Sequence, residues 1–154
     1  MLRARLDTAL KEAMKAKQPR RLSTIRLINA AVKDREIAAR GEGHDGPISD
    51  DEIQAILQKM VKQRRESIAH YEEGGRLELA EQEQDEIGVI QEFLPEQLEG
   101  EALKAVVREV IAEIGAGGVK DMGRTMAVLK ERYGGQMEPA AAAAEAKRIL
   151  TSAS

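Results

Sequence analysis

The segment SDDEIQAILQKMVKQRRESIAHYEEGG, residues 49–75, predicts a long amphipathic helix with both of its ends marked in the sequence. Ser49 and Glu52 have the spacing of a capping box, in which the serine side chain accepts a hydrogen bond from a free amide group of the first turn. Gly74 and Gly75 end the helix. Its inner positions recur every three or four residues: Ile53, Ile56, Leu57, Met60, Val61, Arg64, Ile68 and Tyr71.

The same helical spacing of apolar residues continues on both sides of this segment. We expect Pro19 to close a first helix, Leu27 to lie on the inner face of a second, and RGEGHDGP to form a loop after it. No stretch alternates at the period of two that marks a strand. The sequence therefore predicts an all-α protein, with further helices at about 2–14, 22–39, 77–93, 103–114, 122–133 and from 139 onward, the sixth capped by Asp121.

Proline and glycine interrupt the helical pattern in FLPEQLEGE, residues 93–101. We place a domain junction at Pro95. The predicted architecture is an N-terminal four-helix domain, residues 1–94, followed by a C-terminal three-helix domain, residues 95–154.

Composition narrows the possible partners and locations. The net charge is −3, so any nucleic-acid binding must come from a local group of cations, and no DNA partner is expected. The chain has no cysteine, which is compatible with a reducing compartment, and we expect it in the cytoplasm. No segment approaches the ~20 apolar residues that cross a bilayer, so no membrane partner is expected. The basic N-terminus MLRARLDTALKEAMKAKQ resembles a transit peptide but contains Asp7 and Glu12, and we interpret it as the first helix.

Charge is strongly segregated along the chain. Residues 1–40 carry eleven Lys and Arg against four Asp and Glu, a net charge of +7, whereas residues 77–113 carry two against eleven, a net charge of −9. A basic end and an acidic middle either face different partners or face each other.

Catalytic and metal-binding patterns are weak. No cysteine nucleophile or Gly-x-Ser-x-Gly elbow is present, so we assign no catalytic residue and expect no cofactor. Glu66, His70 and Glu73 are the best local metal candidates, but their spacing is not that of a di-iron bundle, and one histidine makes a poor zinc site. We therefore predict no metal site.

Two other segments invite a binding interpretation. The glycines of GAGGVKDMGR follow a helix rather than a strand and lack the spacing of a phosphate loop, so helix-ending turns explain them better. A basic strip on the long helix either forms a positive surface or is neutralised by salt bridges with the acidic fourth helix: Lys59, Lys62, Arg64 and Arg65.

Several of these pieces together resemble the YqeY-like, or GatB/YqeY, family across nearly the whole chain. The matching segments are RLINAAVKDREI at 26–37, KMVKQRRESIAHYEEGGRLELAEQEQDEIGVIQEFLPEQL at 59–98, and KDMGRTMAVLKERYGG at 120–135. The resemblance implies a four-helix domain followed by a three-helix domain. It also implies that the second is similar to the tRNA-contacting tail of the B subunit of the glutamyl-/aspartyl-tRNA amidotransferase.

The resemblance can be carried over to individual residues of the tail. Gly123 and Met126 match its Gly-x-x-Met pattern, and the turn that starts at Gly134 and Gly135 matches its glycine turn. The tail pattern usually has Lys or Arg after the turn glycine and Asn or Asp near position 138, where this chain has Gln136 and Glu138. One phosphate-binding cation is thereby lost. The candidate RNA-binding residues are Lys120, Arg124, Lys130, Arg132, Gly134, Gly135 and Gln136, with the basic strip at 59–65 as a secondary candidate.

The leading hypothesis is a non-catalytic helical protein that binds tRNA, or a tRNA-modifying or aminoacylation enzyme, through the surface at 120–136. Recognition would depend on RNA shape and phosphates rather than on base edges. Two alternatives stay open. One is an accessory role in carbon–nitrogen ligase activity that uses glutamine as amido donor, the activity with which the resemblance is associated. The other is a protein-interaction adaptor in which the acidic residues 77–113 meet a basic partner.

Overall fold

The computed structural model describes residues 1–153, and over these residues the protein is all-helical, which confirms the predicted fold class. A 3₁₀ turn at Val119–Asp121 precedes the sixth helix. The α-helices of the described part are α1 Leu2–Lys15, α2 Pro19–Gly41, α3 Asp50–Glu73, α4 Leu77–Gln91, α5 Gly100–Ile114, α6 Met122–Tyr133 and α7 Pro139–Ala153.

The helices cluster into two compact units. The first is Met1–Leu94, and the second begins at Pro95. The first unit contains α1 to α4, whose inner faces share one apolar core, and its fully buried side chains are Ala13, Ile25, Ile28, Leu57 and Ile90, each 0% exposed.

α3 and α4 form the main helical pair of the first unit. Only three residues, Gly74–Arg76, connect them, so the two helices run antiparallel and pack along their length. Gly75 has φ +71, a left-handed conformation that glycine adopts without steric cost. Beside the apolar seam, Nε of Arg64 lies 3.0 Å from a carboxylate oxygen of Glu86, and the side chains are 14% and 21% exposed.

One predicted helix end differs from the observed one, and the predicted cap of α3 is confirmed. Pro19 does not close α1, which ends at Lys15, but is the first residue of α2, where proline's missing N–H costs no helical hydrogen bond. The hydroxyl of Ser49 accepts a hydrogen bond from the Glu52 amide at 3.2 Å, as predicted. The Glu52 carboxylate lies 3.6 Å from Nε of Arg35 and forms an ion pair with it.

Fewer apolar residues of α2 are buried than the sequence predicted. Ile25, Ile28 and Val32 are buried, but Leu27 is 46% exposed. Successive helical residues are about 100° apart, so Leu27 cannot share the buried face with both Ile25 and Ile28. The prediction that Leu27 lies on the inner face is wrong, because α2 carries apolar residues on both of its faces.

The second unit is built from α5, α6 and α7, which all contact one another around a core of its own. Leu129 is fully buried there, and Met122 and Met126 pack partly buried against the same core. Thr125 is also buried, and its hydroxyl donates to the Asp121 carbonyl at 2.9 Å. The core-facing side chains of the unit are aliphatic or methionine, apart from Thr125 and the partly buried ring of Tyr133.

Glu83 carries an electrostatic cost at neutral pH. Partial burial raises the pKa of Glu83, the neighbouring carboxylate of Glu86 raises it further, and Arg64 opposes both effects. Glu83 thus binds its proton more tightly in the folded chain than in the unfolded one. Its contribution to stability is complete below its ordinary pKa of 4.5 and is lost as the pH rises through the elevated value.

We predict that Glu83→Gln raises the melting temperature at pH 7, because the amide removes the charge and supplies the hydrogen-bond donor toward Glu86 that only the protonated carboxyl group has. The gain over the unchanged protein should shrink as the pH is lowered toward 4. Thermal unfolding followed by circular dichroism measures both effects. Glu81→Gln, at an exposed position of α4, is the matched control, and an equal gain from it would show that net charge alone is responsible.

Candidate nucleic-acid interface

The four cations proposed for the second unit have different surroundings. Lys120 and Lys130 are exposed, and among residues 1–153 neither side chain forms an ion pair. Arg124 is 55% exposed and lies 3.4 Å from a carboxylate oxygen of Asp121. Arg132 is engaged with Glu113. The structure thus leaves two lysines fully available to an anion and one arginine partly so.

Arg132 and Glu113 join α6 to α5. The two guanidinium Nη atoms lie 2.6 and 2.8 Å from the two carboxylate oxygens, the paired geometry that suits an arginine and a carboxylate. The hydrogen bond and charge of Arg132 lower the pKa of Glu113, and the same contact raises the pKa of Arg132. No local pattern in the sequence predicts this pair, because Glu113 is nineteen positions away on another helix.

Asp121 organises the loop before α6 rather than capping the helix. It occupies the N-cap position, but its side chain makes no capping hydrogen bond and accepts one from the Gly117 amide at 2.9 Å. The Gly117 hydrogen bond is the largest influence lowering the pKa of Asp121, followed by the charge of Arg124 and smaller effects of Gly118 and Lys120. The predicted side-chain cap is therefore wrong.

The glycine turn after α6 is hydrogen-bonded to the segment that precedes α5. The Gly135 carbonyl accepts a hydrogen bond from the side-chain amide of Gln97 at 2.9 Å, and the backbone carbonyl of Gln136 accepts one from the backbone amide of Leu98 at 2.6 Å. A Cβ on Gly134 would lie 2.6 Å from the Lys130 carbonyl oxygen, so a larger residue there requires a backbone shift. Gly134, Gly135 and Gln136 are half-buried, and their backbone carries structural contacts.

A face with small side chains lies between the two available lysines. Gly123, Ala127 and Lys130 recur at intervals of four and three residues on α6, which places them on one side of the helix, and all are exposed. Lys120 precedes Gly123 by three residues, and a Cβ on Gly123 would meet no atom within 4 Å. We call these four residues the α6 face. A ligand can approach the helix backbone there with a cation on either side.

The secondary basic strip on α3 is divided by the α3–α4 packing. Lys59, Lys62 and Arg65 are exposed, whereas Arg64 points toward α4, where it bonds to Glu86 and also donates to the Met60 carbonyl at 3.3 Å. Arg64 is thus a contact between helices. The strip of four cations is reduced to three positions on the outer side of α3.

Over residues 1–153, no group of three or more His, Asp or Glu side chains has the arrangement of a metal site. No helix within the same residues combines the length and apolar character of a membrane span.

Known proteins share sequence with most of this chain. A family model described as "Yqey-like protein" matches residues 3–150. The relatives include "Altered inheritance of mitochondria protein 41, mitochondrial" of Eremothecium gossypii, 38% identical over 91 residues that make up 59% of this chain and 48% of the relative. The protein of the same name from Lachancea thermotolerans is 34% identical over 59% of this chain and 46% of its own length. A third, from Saccharomyces cerevisiae, is 31% identical over 55% and 44%.

These comparisons correct one prediction and identify the family of the chain. The names of the relatives place them in mitochondria, which contradicts the expectation of a cytoplasmic location. That expectation rested on the absence of cysteine, a property that is compatible with more than one compartment. The matched segments span about half the length of these curated relatives. Because the family model covers nearly every residue from α1 to α7, this chain belongs to the YqeY-like family.

Proposed function

We propose that this chain is a tRNA-binding helical protein without catalytic activity of its own, and that the α6 face makes the contact. The observation that carries the proposal is the pair of unpaired lysines, Lys120 and Lys130, on either side of Gly123 and Ala127. Exposed cations without intramolecular partners are the groups that neutralise phosphates. Arg124 adds a third positive charge at the edge of this face.

The small side chains support contact with a folded RNA backbone. Phosphate groups project from an RNA helix, so a cation can reach one only where neighbouring side chains leave room. Gly123 and Ala127 leave that room, and no aromatic side chain of α6 is available on the α6 face for base stacking. Such a surface reads shape and charge more than sequence, which suits tRNA as a class of ligand.

We predict that changing Lys120 and Lys130 together to Ala weakens tRNA binding about tenfold and reduces its salt dependence by about two units in the log–log slope, one for each lost phosphate contact. Filter binding of a tRNA transcript at several salt concentrations measures both quantities. Ala127→Glu should weaken binding without removing a cation, because it places bulk and negative charge between the lysines. No retention of tRNA by the unchanged protein at low salt would overturn the proposal, as would equal affinity for duplex DNA.

The Arg132–Glu113 pair offers a change in the opposite direction. Glu113→Gln removes the charge that holds Arg132 against α5. Arg132 lies on the other side of α6 from Lys130, so its guanidinium becomes available to an RNA that extends around the helix beyond the α6 face, and tRNA affinity should rise several-fold. Glu101→Gln is the matched control, since Glu101 lies at the other end of α5, where Lys104 is its ion-pair partner. Equal gains from both variants would attribute the effect to net charge and would contradict a local interface.

We also propose that the two compact units are separate domains, one of four helices and one of three. Each has its own buried apolar cluster, and the segment between α4 and α5 contains Pro95. We expect residues 1–94 and 95–154, expressed separately, each to give a helical circular dichroism spectrum and cooperative thermal unfolding. The second fragment, of about 60 residues, should be the less stable because a small domain buries less of its surface. A fragment 95–154 without helical signal would contradict this division.

A further inference from the structure

The outward face of α2 carries a row of cations that the proposed tRNA contact does not use. Arg26, Lys33 and Arg40 are spaced by seven residues, and all three are exposed. Seven residues are nearly two full helical turns, so these side chains lie along one side of α2 at intervals of ~10.5 Å. We call these three residues the α2 row.

The α2 row differs from the other arginines of α2 in having no internal partner. Arg20 pairs with Asp85, Arg21 with Glu92, and Arg35 with Glu42 and Glu52. Among residues 1–153, no carboxylate forms an ion pair with a member of the row.

Glu36, the carboxylate of α2 whose helical spacing suits a pair with the row, is already in use. Glu36 lies three residues after Lys33 and four before Arg40, positions from which it could pair with either. It instead binds Arg3 and accepts a hydrogen bond from the Ile48 amide at 3.0 Å, with its side chain 13% exposed. The positive charge of the row therefore remains available to a second molecule.

Exposed apolar side chains lie next to the row. Leu27 is 46% exposed and Ile37 is 54% exposed, and Ala30 lies on the same side between them. In heptad terms, Leu27 holds an a position, Ala30 and Ile37 hold d positions, and the three cations hold successive g positions. This is the pattern of a helix that packs against a second helix, with charges at the margin that select the partner.

From these observations we infer that the outward face of α2 binds an amphipathic helix whose apolar seam is flanked by carboxylates. Charge complementarity identifies the partner. A partner helix repeats its side chains with the same seven-residue period, so glutamates at its corresponding positions meet Arg26, Lys33 and Arg40 together. Leu27 and Ile37 supply the apolar part of the contact, and the small Ala30 allows close approach.

A phosphate backbone fits this face less well than an acidic helix does. Asp34 is exposed on the same side of α2, one residue from Lys33, and would repel a phosphate there. At an a position of a helical pair, however, a single polar residue is tolerated and fixes the register. Leu27 and Ile37 would also gain nothing from phosphate contact, because the favourable term for them is removal of apolar area from water.

The test uses the full chain and a labelled synthetic probe. The probe is a 21-residue peptide of three heptads with Leu at d, Ile at a and Glu at both e and g, which disfavours its self-association. We expect saturable binding in fluorescence anisotropy that weakens with added salt. The triple variant Arg26→Glu, Lys33→Glu, Arg40→Glu should lose at least tenfold in affinity, and Ile37→Ser should lose several-fold while keeping the salt dependence.

A control variant makes the same change of net charge elsewhere in the first unit. Lys11→Glu, Lys15→Glu, Lys59→Glu alters three exposed lysines outside α2 and should leave the affinity for the peptide nearly unchanged. Circular dichroism establishes that both triple variants remain folded.

Three results would overturn the inference: no binding of the peptide to the unchanged protein, equal loss in the two triple variants, or loss of tRNA binding in the α2 variant with peptide binding retained. The last result would assign the row to RNA. Retained tRNA binding by the α2 variant, together with lost peptide binding, is the expected outcome.

Discussion

Burial of Leu57, Ile87 and Ile90 between the antiparallel helices α3 and α4 is the contact on which the first unit depends. The chain has one phenylalanine and no tryptophan, so its core is built almost wholly from aliphatic side chains that must be aligned along helices. That alignment also decides which charges are available. Arg64 lies at the margin of the same seam and is held by Glu86, so it cannot serve a ligand without exposing that carboxylate.

Arginine and lysine have different roles in this protein. Arg20, Arg21, Arg64 and Arg132 each link one helix to another through a carboxylate, whereas Lys120 and Lys130 extend into solvent. The planar guanidinium matches a carboxylate with two hydrogen bonds, and the ammonium is more strongly hydrated. The number of cations in residues 1–40 that a partner can reach is therefore smaller than the net charge of +7 suggests. The α2 row stands out because two of its three members are arginines that remain unpaired.

Periodicity in the sequence, together with the cap at Ser49, was sufficient to predict the all-α fold and the start of α3. It failed where a helix carries apolar residues on two faces, as at Leu27, since spacing alone does not say which face meets the core. It also failed at Pro19, which can end one helix or begin the next. Contacts between distant segments, such as Arg132 with Glu113 and Gln97 with Gly135, have no local signature and needed the folded chain.

The Gly134–Gln136 turn bears on how function is inferred from sequence likeness. Gly134 is required by its distance to the Lys130 carbonyl, and the next two carbonyls hold the segment that leads into α5. Any protein that closes three helices in this way needs such a turn, whatever it binds. The same turn in two proteins is therefore evidence that they share an architecture. A ligase activity inferred from this motif alone would therefore report only common ancestry. A shared biochemical function has to be judged from the side chains around the turn.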